Sequence, residues 1–407
     1  MLLLSQKHQI RHLSKQEYYT LKNMCKMNKD LYNAGLYSVK SFFELEGKYL
    51  SYEGNYHVCK SNENYKFLGS DIAQQTLKQV DRTFKTFFGS LKNKSLKPQL
   101  PKFLKKDTLF QISFPVRASY INNGVVKIPV GRGSKNEKIS FSLPKNLLDK
   151  NIKEVKIIPE YNGKYFTAIF TYEQERFKTN LDENKFLAVD FGVDNLMACV
   201  ENNGSSFLID GRKLKSKNLY FSKKLSKVQS NKKVKFITNQ EKQLRKKHSN
   251  ILNDYLSKSV RKVINYCLEN LIGNLVLGYN LGWKNKINLG RKNNQKLMQI
   301  PHGKLREKLK YLCELYNINY IEQEESYTSK SSFFDNDTLP KLNLDGKEEY
   351  EFFGKRIYRG LYKTSKDKLI NADINGALNI LRKSKLIDLK NLQSIGFVVN
   401  PLRIKIS

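Results

Sequence analysis

Two aspartates in this chain stand where a carboxylate is best placed to do chemistry. Asp190 closes the apolar run Phe186-Leu187-Ala188-Val189. Such a run reads as a buried strand, so the carboxylate that ends it must emerge at a sheet edge, and Gly192 leaves room beside it. Asp373 falls in the first turn of a helix predicted over 370–383. An acid there is also a plain capping group favoured by the helix dipole, and both readings stand. Convergent carboxylates suit Mg²⁺, which asks for hard oxygen ligands. Two such ions about 3.5–4 Å apart can stabilise the attacking and leaving oxygens of a phosphodiester. A kinase reading of Asp190-Phe191-Gly192 fails, because no His-Arg-Asp loop and no Gly-rich loop accompany it. The five histidines are scattered, none is paired with Cys or Ser for nucleophilic catalysis, and His248 reads as a surface residue.

The elements that must position these acids follow in order. After the strand at 186–193 comes a hairpin turning at Asn203-Gly204, which makes three adjacent strands. Residues 211–250 hold 14 Lys/Arg and one acid, Glu241, and helical periodicity continues to Glu269. A strand at 274–280, a helix through Leu305–Leu315 and a strand at 319–324 complete a βββαβαβ pattern. A polar, irregular insertion precedes the last helix, whose Ile374, Ala377, Leu378 and Leu381 share a face. This succession is that of an RNase H-like α/β fold, an analogy that does not by itself assign function.

The N-terminal half has a different texture. Residues 12–100 read as helical, most clearly over Asp71–Leu91, where Ala73, Leu77, Val80, Phe84, Phe87 and Phe88 recur at helical spacing. Ser70 or Asp71 is the expected cap, Gln74 completing a box with Asp71. The opposite face carries Lys78, Arg82 and Lys85, which either meet nucleic acid or are merely solvated. From 110 to 172 short alternating runs, with turn signals at Asn122-Asn123-Gly124 and Asn162-Gly163, predict a small antiparallel barrel or sandwich.

Composition narrows the partner. The 407 residues carry 73 Lys+Arg against 38 Asp+Glu, a formal net charge of +35. That excess repels itself unless a polyanion neutralises it, which points to nucleic acid. Basic helices such as the one holding Arg245, Lys246 and Lys247 suit a phosphate backbone. No apolar stretch approaches the ~18 residues of a membrane span, and a soluble, cytoplasmic protein, nucleoid-associated in a prokaryote, is expected. The five cysteines lie far apart, without a Cys-x-x-Cys pair, and read as buried thiols.

The motifs carry a specific resemblance. Asp190-Phe191-Gly192, Tyr327-Thr328-Ser329-Lys330 and Asn371-Ala372-Asp373-Ile374-Asn375-Gly376-Ala377 resemble, in order, the RuvC motifs of TnpB proteins, relatives of Fanzors and type V CRISPR effectors. More loosely, 73–88 resembles the recognition-lobe helix and 101–115 the start of the wedge domain, so the likeness spans most of 60–385. It implies a multidomain α+β protein: a β-barrel wedge domain (1–11 and 101–180), a helical recognition domain (12–100), and a RuvC-like nuclease domain (181–325 and 371–385). An insertion at 326–370 and a tail at 386–407 complete it. The implied activity is RNA-guided, metal-dependent cleavage of double-stranded DNA beside a short flanking motif, with a transposon-derived guide RNA as partner.

Two departures from the family pattern matter. Where relatives place a catalytic Glu after Val276-Leu277, this chain has Gly278. Some relatives carry the glutamate before the Tyr-Thr-Ser-Lys segment, a position held here by Glu325. Adjacent strand residues face opposite ways, so Glu325 is taken as the ligand beside Asp190 and Asp373, Glu324 as second choice. If Glu322, Glu324 and Glu325 are only an acidic edge, the protein is a nuclease-inactive guided binder, a repressor or guide-RNA chaperone. The second departure is the zinc ribbon: Ser332 and Asp335 stand about where its first Cys pair would be, and no structural zinc is expected beside the two Mg²⁺. The insertion's Lys355, Arg356, Tyr358, Arg359 and Tyr362 remain candidates to touch nucleic acid, and Trp283 to stack on a base or pack in the core.

Overall fold

The structure, a computed structural model, describes residues 1–93, 98–132, 138–232, 234–280, 299–340, 350–389, 391–392 and 400–407. It divides into two compact units, Met1–Glu175 and Arg176–Ser407, with a mixed α/β fold. Trp283 lies outside the described residues.

The first unit runs β1 (Leu2–Ile10), α1 (Lys15–Glu46), α2 (Tyr52–Cys59), α3 (Glu63–Leu68), α4 (Ser70–Leu91), β2 (Ile112–Pro115), β3 (Tyr120–Asn122), β4 (Val125–Pro129), β5 (Lys138–Ser142), β6 (Ile152–Glu160) and β7 (Tyr165–Gln174). A capping box starts α1, with Ser14 and Glu17 each accepting the other's backbone N–H. On α4 the predicted apolar stripe is buried at Ala73, Leu77, Val80 and Phe84, but the predicted cap is not formed. The helix begins a residue earlier, after Gly69, so Ser70 and Asp71 lie inside its first turn and Asp71 pairs with Arg117 at 2.7 Å instead.

The expected barrel is corrected: the strands form two open sheets, β1-β7-β6-β2 and β3-β4-β5. β1 and β2 are the unpaired ends of the larger sheet. β2 is four residues long and finishes on Pro115, which has no N–H to extend a ladder. The sheet instead buries its face under the helices, Ile112, Phe114, Val155 and Phe170 sharing one core with Leu21, Met24, Leu31 and Leu77. The predicted turns are present, with left-handed backbone at Asn123 and Gly124 and again at Asn162 and Gly163.

The second unit runs β8 (Asp182–Phe191), β9 (Asn195–Glu201), β10 (Ser206–Asp210), α5 (Arg212–Ser230), α6 (Asn239–Glu269), β11 (Ile272–Gly278), α7 (His302–Leu315), β12 (Asn319–Gln323), β13 (Lys355–Tyr358), β14 (Leu361–Lys363), β15 (Leu369–Asn371), α8 (Ala372–Ser384) and β16 (Leu402–Ile404). Its six-stranded sheet has the order β12-β11-β8-β9-β10-β16. The β8-β9-β10 meander is antiparallel, while β11 joins β8 and β12 joins β11 in parallel.

Alternation along the strands assigns the two faces. Phe186, Ala188, Leu208 and Val276 pack with Ile374, Ala377, Leu378 and Leu381 of α8. Phe207, the neighbour of Leu208, points the other way and meets the ring of Tyr266 on α6 at 4.5 Å. The insertion is less irregular than its sequence reads, since β13-β14-β15 form a small antiparallel sheet. All five cysteines are buried free thiols. Among the described residues no helix is long and apolar enough to cross a membrane.

Candidate active site

Asp190 is the penultimate residue of β8 and shares the α8 face with Ala188. Gly376 faces it from α8: a β-carbon there would lie 2.8 Å from Asp190 Oδ2. A glycine inside a helix costs about 1 kcal/mol against alanine, and here it yields the space the carboxylate takes. Gly192 serves differently from the room expected beside Asp190, since a β-carbon would lie 2.4 Å from the Asn195 carbonyl oxygen in the tight turn into β9.

Asp373 is not the cap of α8. Asn371 is, its side chain accepting from the backbone N–H groups of Asp373 at 3.0 Å and Ile374 at 3.2 Å. The Asp373 carboxylate is thereby free to engage other groups: Asn195 Nδ2 donates to Oδ2 at 2.7 Å and Arg356 Nη2 to Oδ1 at 2.8 Å. Asn195 is itself held by Arg403, which donates to its Oδ1 at 2.6 Å.

Glu325 follows the end of β12, its backbone N–H donating to Asn280 Oδ1 at 3.1 Å. Its carboxylate reaches across to β11. A β-carbon at Gly278 would lie 2.6 Å from Glu325 Oε2 and 2.3 Å from Ile380 Cδ1. The space that a side chain at 278 would need is thus already held by the Glu325 carboxylate. Glu324 turns elsewhere, with Lys383 Nζ at 2.5 Å from one oxygen and the Ser326 N–H at 2.6 Å from the other. Glu322 is exposed and accepts from the Tyr320 hydroxyl at 2.9 Å.

The electrostatics tie the cluster together. Burial first, and then the charges of Glu325 and Asp373, hold the Asp190 carboxyl well above the usual carboxylate range, with Arg356 pulling the other way. Burial, helped by Glu324 and opposed by Lys383, pushes Glu325 up to about 7. For Glu324 burial also raises the pKa, but hydrogen bonds from Lys383 and Ser326 prevail and hold it low.

Three carboxylates of this kind are a hard-oxygen donor set for a divalent cation, and the raised pKa values of Asp190 and Glu325 reflect burial first and then neighbouring negative charge, which a cation would offset. The fit is one of donor chemistry. Among the described residues no three His, Cys, Asp or Glu side chains are arranged to hold one ion as they stand. The nearest positive charge to Asp373 is Arg356, and Arg359 binds Asp194 at 3.0 Å. Both arginines were expected to face nucleic acid. Arg356 instead pairs with a member of the carboxylate cluster, and Arg359 with an acid of the turn between β8 and β9.

The Tyr327-Thr328-Ser329-Lys330 segment works as a brace. Thr328 Oγ1 donates to the Glu325 carbonyl at 2.8 Å. From α8, Asn379 Nδ2 donates to the carbonyls of Thr328 and Ser331, while Asn375 Nδ2 donates to Ser331 and Asn375 Oδ1 accepts from the Phe333 N–H. Both asparagines are fully buried, polar groups four residues apart on an otherwise apolar helix, and that spacing is the signal that could have found them.

The remaining basic candidates lie apart from the carboxylates. Arg245 and Lys247 are exposed on α6, with Lys246 half-buried between them. In the first unit Arg82 is exposed, Lys85 pairs with Asp81 at 2.8 Å, and Lys78 lies over the Tyr52 ring at 5.3 Å. His248 is not a surface residue: it is half-buried, within 2.7 Å of Asn218 Oδ1 and stacked on Phe221.

Comparison with known proteins finds likenesses along the chain. Residues 169–284 match the family model OrfB_IS605, described as "Probable transposase". Residues 302–380 match "Cas12f1-like, TNB domain". The TnpB-like protein ORF457 of Acidianus two-tailed virus is 24% identical over 233 residues, 54% of this chain and 44% of the relative. The chain therefore aligns with less than half of that relative's length. The solved Cas12f1-sgRNA-target DNA complex shares the fold at 16% identity, with a TM-score of 0.60 over 90% of this chain and 83% of that one. The two family models lie in order along residues 169–380, and with the viral TnpB-like relative they show what this part of the chain is similar to.

Proposed function

We propose that the protein is an RNA-guided, Mg²⁺-dependent DNA endonuclease. One observation carries the reading: the Glu325 carboxylate takes the place beside Gly278 where the family's glutamate would reach, beside Asp190 and, through it, Asp373. Asp190, Glu325 and Asp373 would hold the metal. Two Mg²⁺ ions bound there would stabilise the attacking and leaving oxygens of a phosphodiester.

The chain's own residues prepare that chemistry. Gly376 admits the Asp190 carboxylate against α8, Asn195 fixes the rotamer of Asp373, and Asn280 fixes the backbone at Glu325. Asp190 and Glu325, biased toward their protonated forms, release protons when they bind a cation, so cation affinity rises with pH through about 7. Arg356, next to Asp373 and exposed, is placed to meet a phosphate of the strand brought to the carboxylates.

Guide RNA and double-stranded DNA are the proposed partners, by analogy with the complex in which the Cas12f1 fold was solved. The guide derives from the transposon end, and base pairing selects the target. In this assignment residues 12–100 form the recognition domain, 1–11 and 101–180 the wedge, 181–325 with 371–385 the RuvC-like nuclease, and 326–370 the target-strand insertion. Two features of the site favour a second reading, a nuclease-inactive guided binder: Arg356 already occupies Asp373, and among the described residues no three ligands are gathered as they stand.

The test is to purify the protein with RNA transcribed from its own locus and incubate it with Mg²⁺ and a guide-matched plasmid library randomised beside the target. Cleavage next to a defined flanking motif is expected. Tight guided binding without strand loss would select the second reading.

A further inference from the structure

Within the second unit, α6, α7 and the residues after β16 border an open cavity of about 540 Å³. Lys258, Arg261, Lys262, Lys308 and Lys405 line it together with Tyr311 and Ser407, and no Asp or Glu side chain does. The carboxylate cluster is elsewhere, since Asp190 lies on the α8 face of the sheet and α6 packs on the other.

Two of the cations around this cavity bond neutral side chains. Arg261 donates to the Tyr316 hydroxyl at 2.9 Å and lies over that ring at 5.4 Å. Lys308 donates to Ser257 Oγ at 2.9 Å. Lys258 divides between exposed Asp254 and the main-chain oxygen of Ser407, each at 3.1 Å. Lys262 and Lys405 have no ion-pair partner among the described residues. In this Lys262 and Lys405 differ from Lys215, Arg359 and Lys363 of the same unit, which each sit within about 3 Å of a carboxylate. Five positive charges facing one cavity repel each other, a cost that is offset when an anion enters. Tyr311, 40% exposed, adds a ring against which a base can stack.

We propose that this cavity is a phosphodiester-binding subsite, separate from the carboxylate cluster, that holds the backbone of a single-stranded stretch of bound nucleic acid with one base against Tyr311. The inference rests on the reading of the protein as one that binds nucleic acid. The backbone could be that of the guide RNA or of a separated DNA strand, and the experiment distinguishes them.

Full-length Asp190→Ala protein is compared with the same protein carrying Lys258→Gln, Lys262→Gln and Lys405→Gln. Binding of labelled guide RNA and of labelled single-stranded DNA is titrated across potassium chloride concentrations. Each phosphate contact on a single strand contributes a slope of about 0.7 in log K against log salt, so the triple variant should lose about 2 from the slope for whichever strand occupies the site. A Lys→Arg triple variant keeps the charge and should keep the slope, and Tyr311→Leu should weaken the same strand without changing it. Equal slopes for the Gln variant and its parent with both nucleic acids would overturn the proposal, as would a slope lost equally in the Arg variant. Because cleavage plays no part in the readout, failure of the nuclease reading would show separately, as absence of guided cutting by the wild-type protein.

Discussion

At the scale of single residues, the account turns on Gly278 and Glu325, whose positions compete for one volume. A glutamate restored at 278 while Glu325 remains would crowd Glu325 Oε2 and Ile380 Cδ1, and an overpacked site of this kind costs about 1–3 kcal/mol. Glu325→Gly should lower the cleavage rate by more than about 100-fold, beyond the effect typical of second-layer residues. Gly278→Glu combined with Glu325→Gly should recover part of that loss, because the carboxylate returns to the same space from the neighbouring strand. No recovery in a stably folded double variant would argue against the shared volume. Glu325 also makes a pH prediction. Its folded pKa of about 7 lies above the ordinary 4.5, so between these values the native state binds more protons than the unfolded one. Stability is therefore fullest below about 4.5 and falls as the pH rises to about 7. In melts without divalent ions Glu325→Gln should flatten this decline, and an unchanged pH profile would contradict the burial of the carboxylate. Of these residues Asp190 and Asp373 could be read from an apolar run and a helix start, whereas Glu325 rests on family likeness, with strand alternation separating it from Glu324. Asn195, Asn280, Asn375 and Asn379 went unread because asparagine is abundant in this chain and its role depends on the partner the fold supplies.

At the scale of elements, periodicity located most helices and strands, while closure and capping escaped it. Alternating runs look the same in a barrel as in an open sheet covered by helices, and only the packing of Leu21, Met24 and Leu77 against Ile112 and Phe114 distinguishes them. The expected box on α4 missed because the helix gained one residue at Gly69. On α6, by contrast, Thr238 and Glu241 cap each other reciprocally, and Lys232 adds an ion pair at 3.1 Å. Thr238→Ala should cost about 1 kcal/mol in chemical denaturation. The backbone N–H of Thr238, with Lys232 and Gln229, outweighs burial and holds Glu241 down to about 2. Its contribution is thus present above the ordinary 4.5 and is lost as the pH falls toward about 2. Glu241→Gln should destabilise the protein at pH 7 and lose that effect in acid, and equal destabilisation at both extremes would contradict the assignment.

At the scale of the whole molecule, the +35 charge and the carboxylate cluster serve opposite needs. The positive excess suits a polyanion, while Asp190 in the second unit is held above the usual carboxylate range by burial and then by its acidic neighbours. The proposed function, guided DNA cleavage, uses these two features jointly, and the shifted glutamate is the point on which it depends. The most direct test compares wild-type, Glu325→Ala and Glu324→Ala proteins, each loaded with guide RNA, cutting a matched plasmid in Mg²⁺. The account predicts cleavage by the wild type, loss of more than about 100-fold with Glu325→Ala, and near-normal cutting with Glu324→Ala, whose carboxylate is spent on Lys383. Cleavage that survives Glu325→Ala, or that Glu324→Ala abolishes instead, would contradict it.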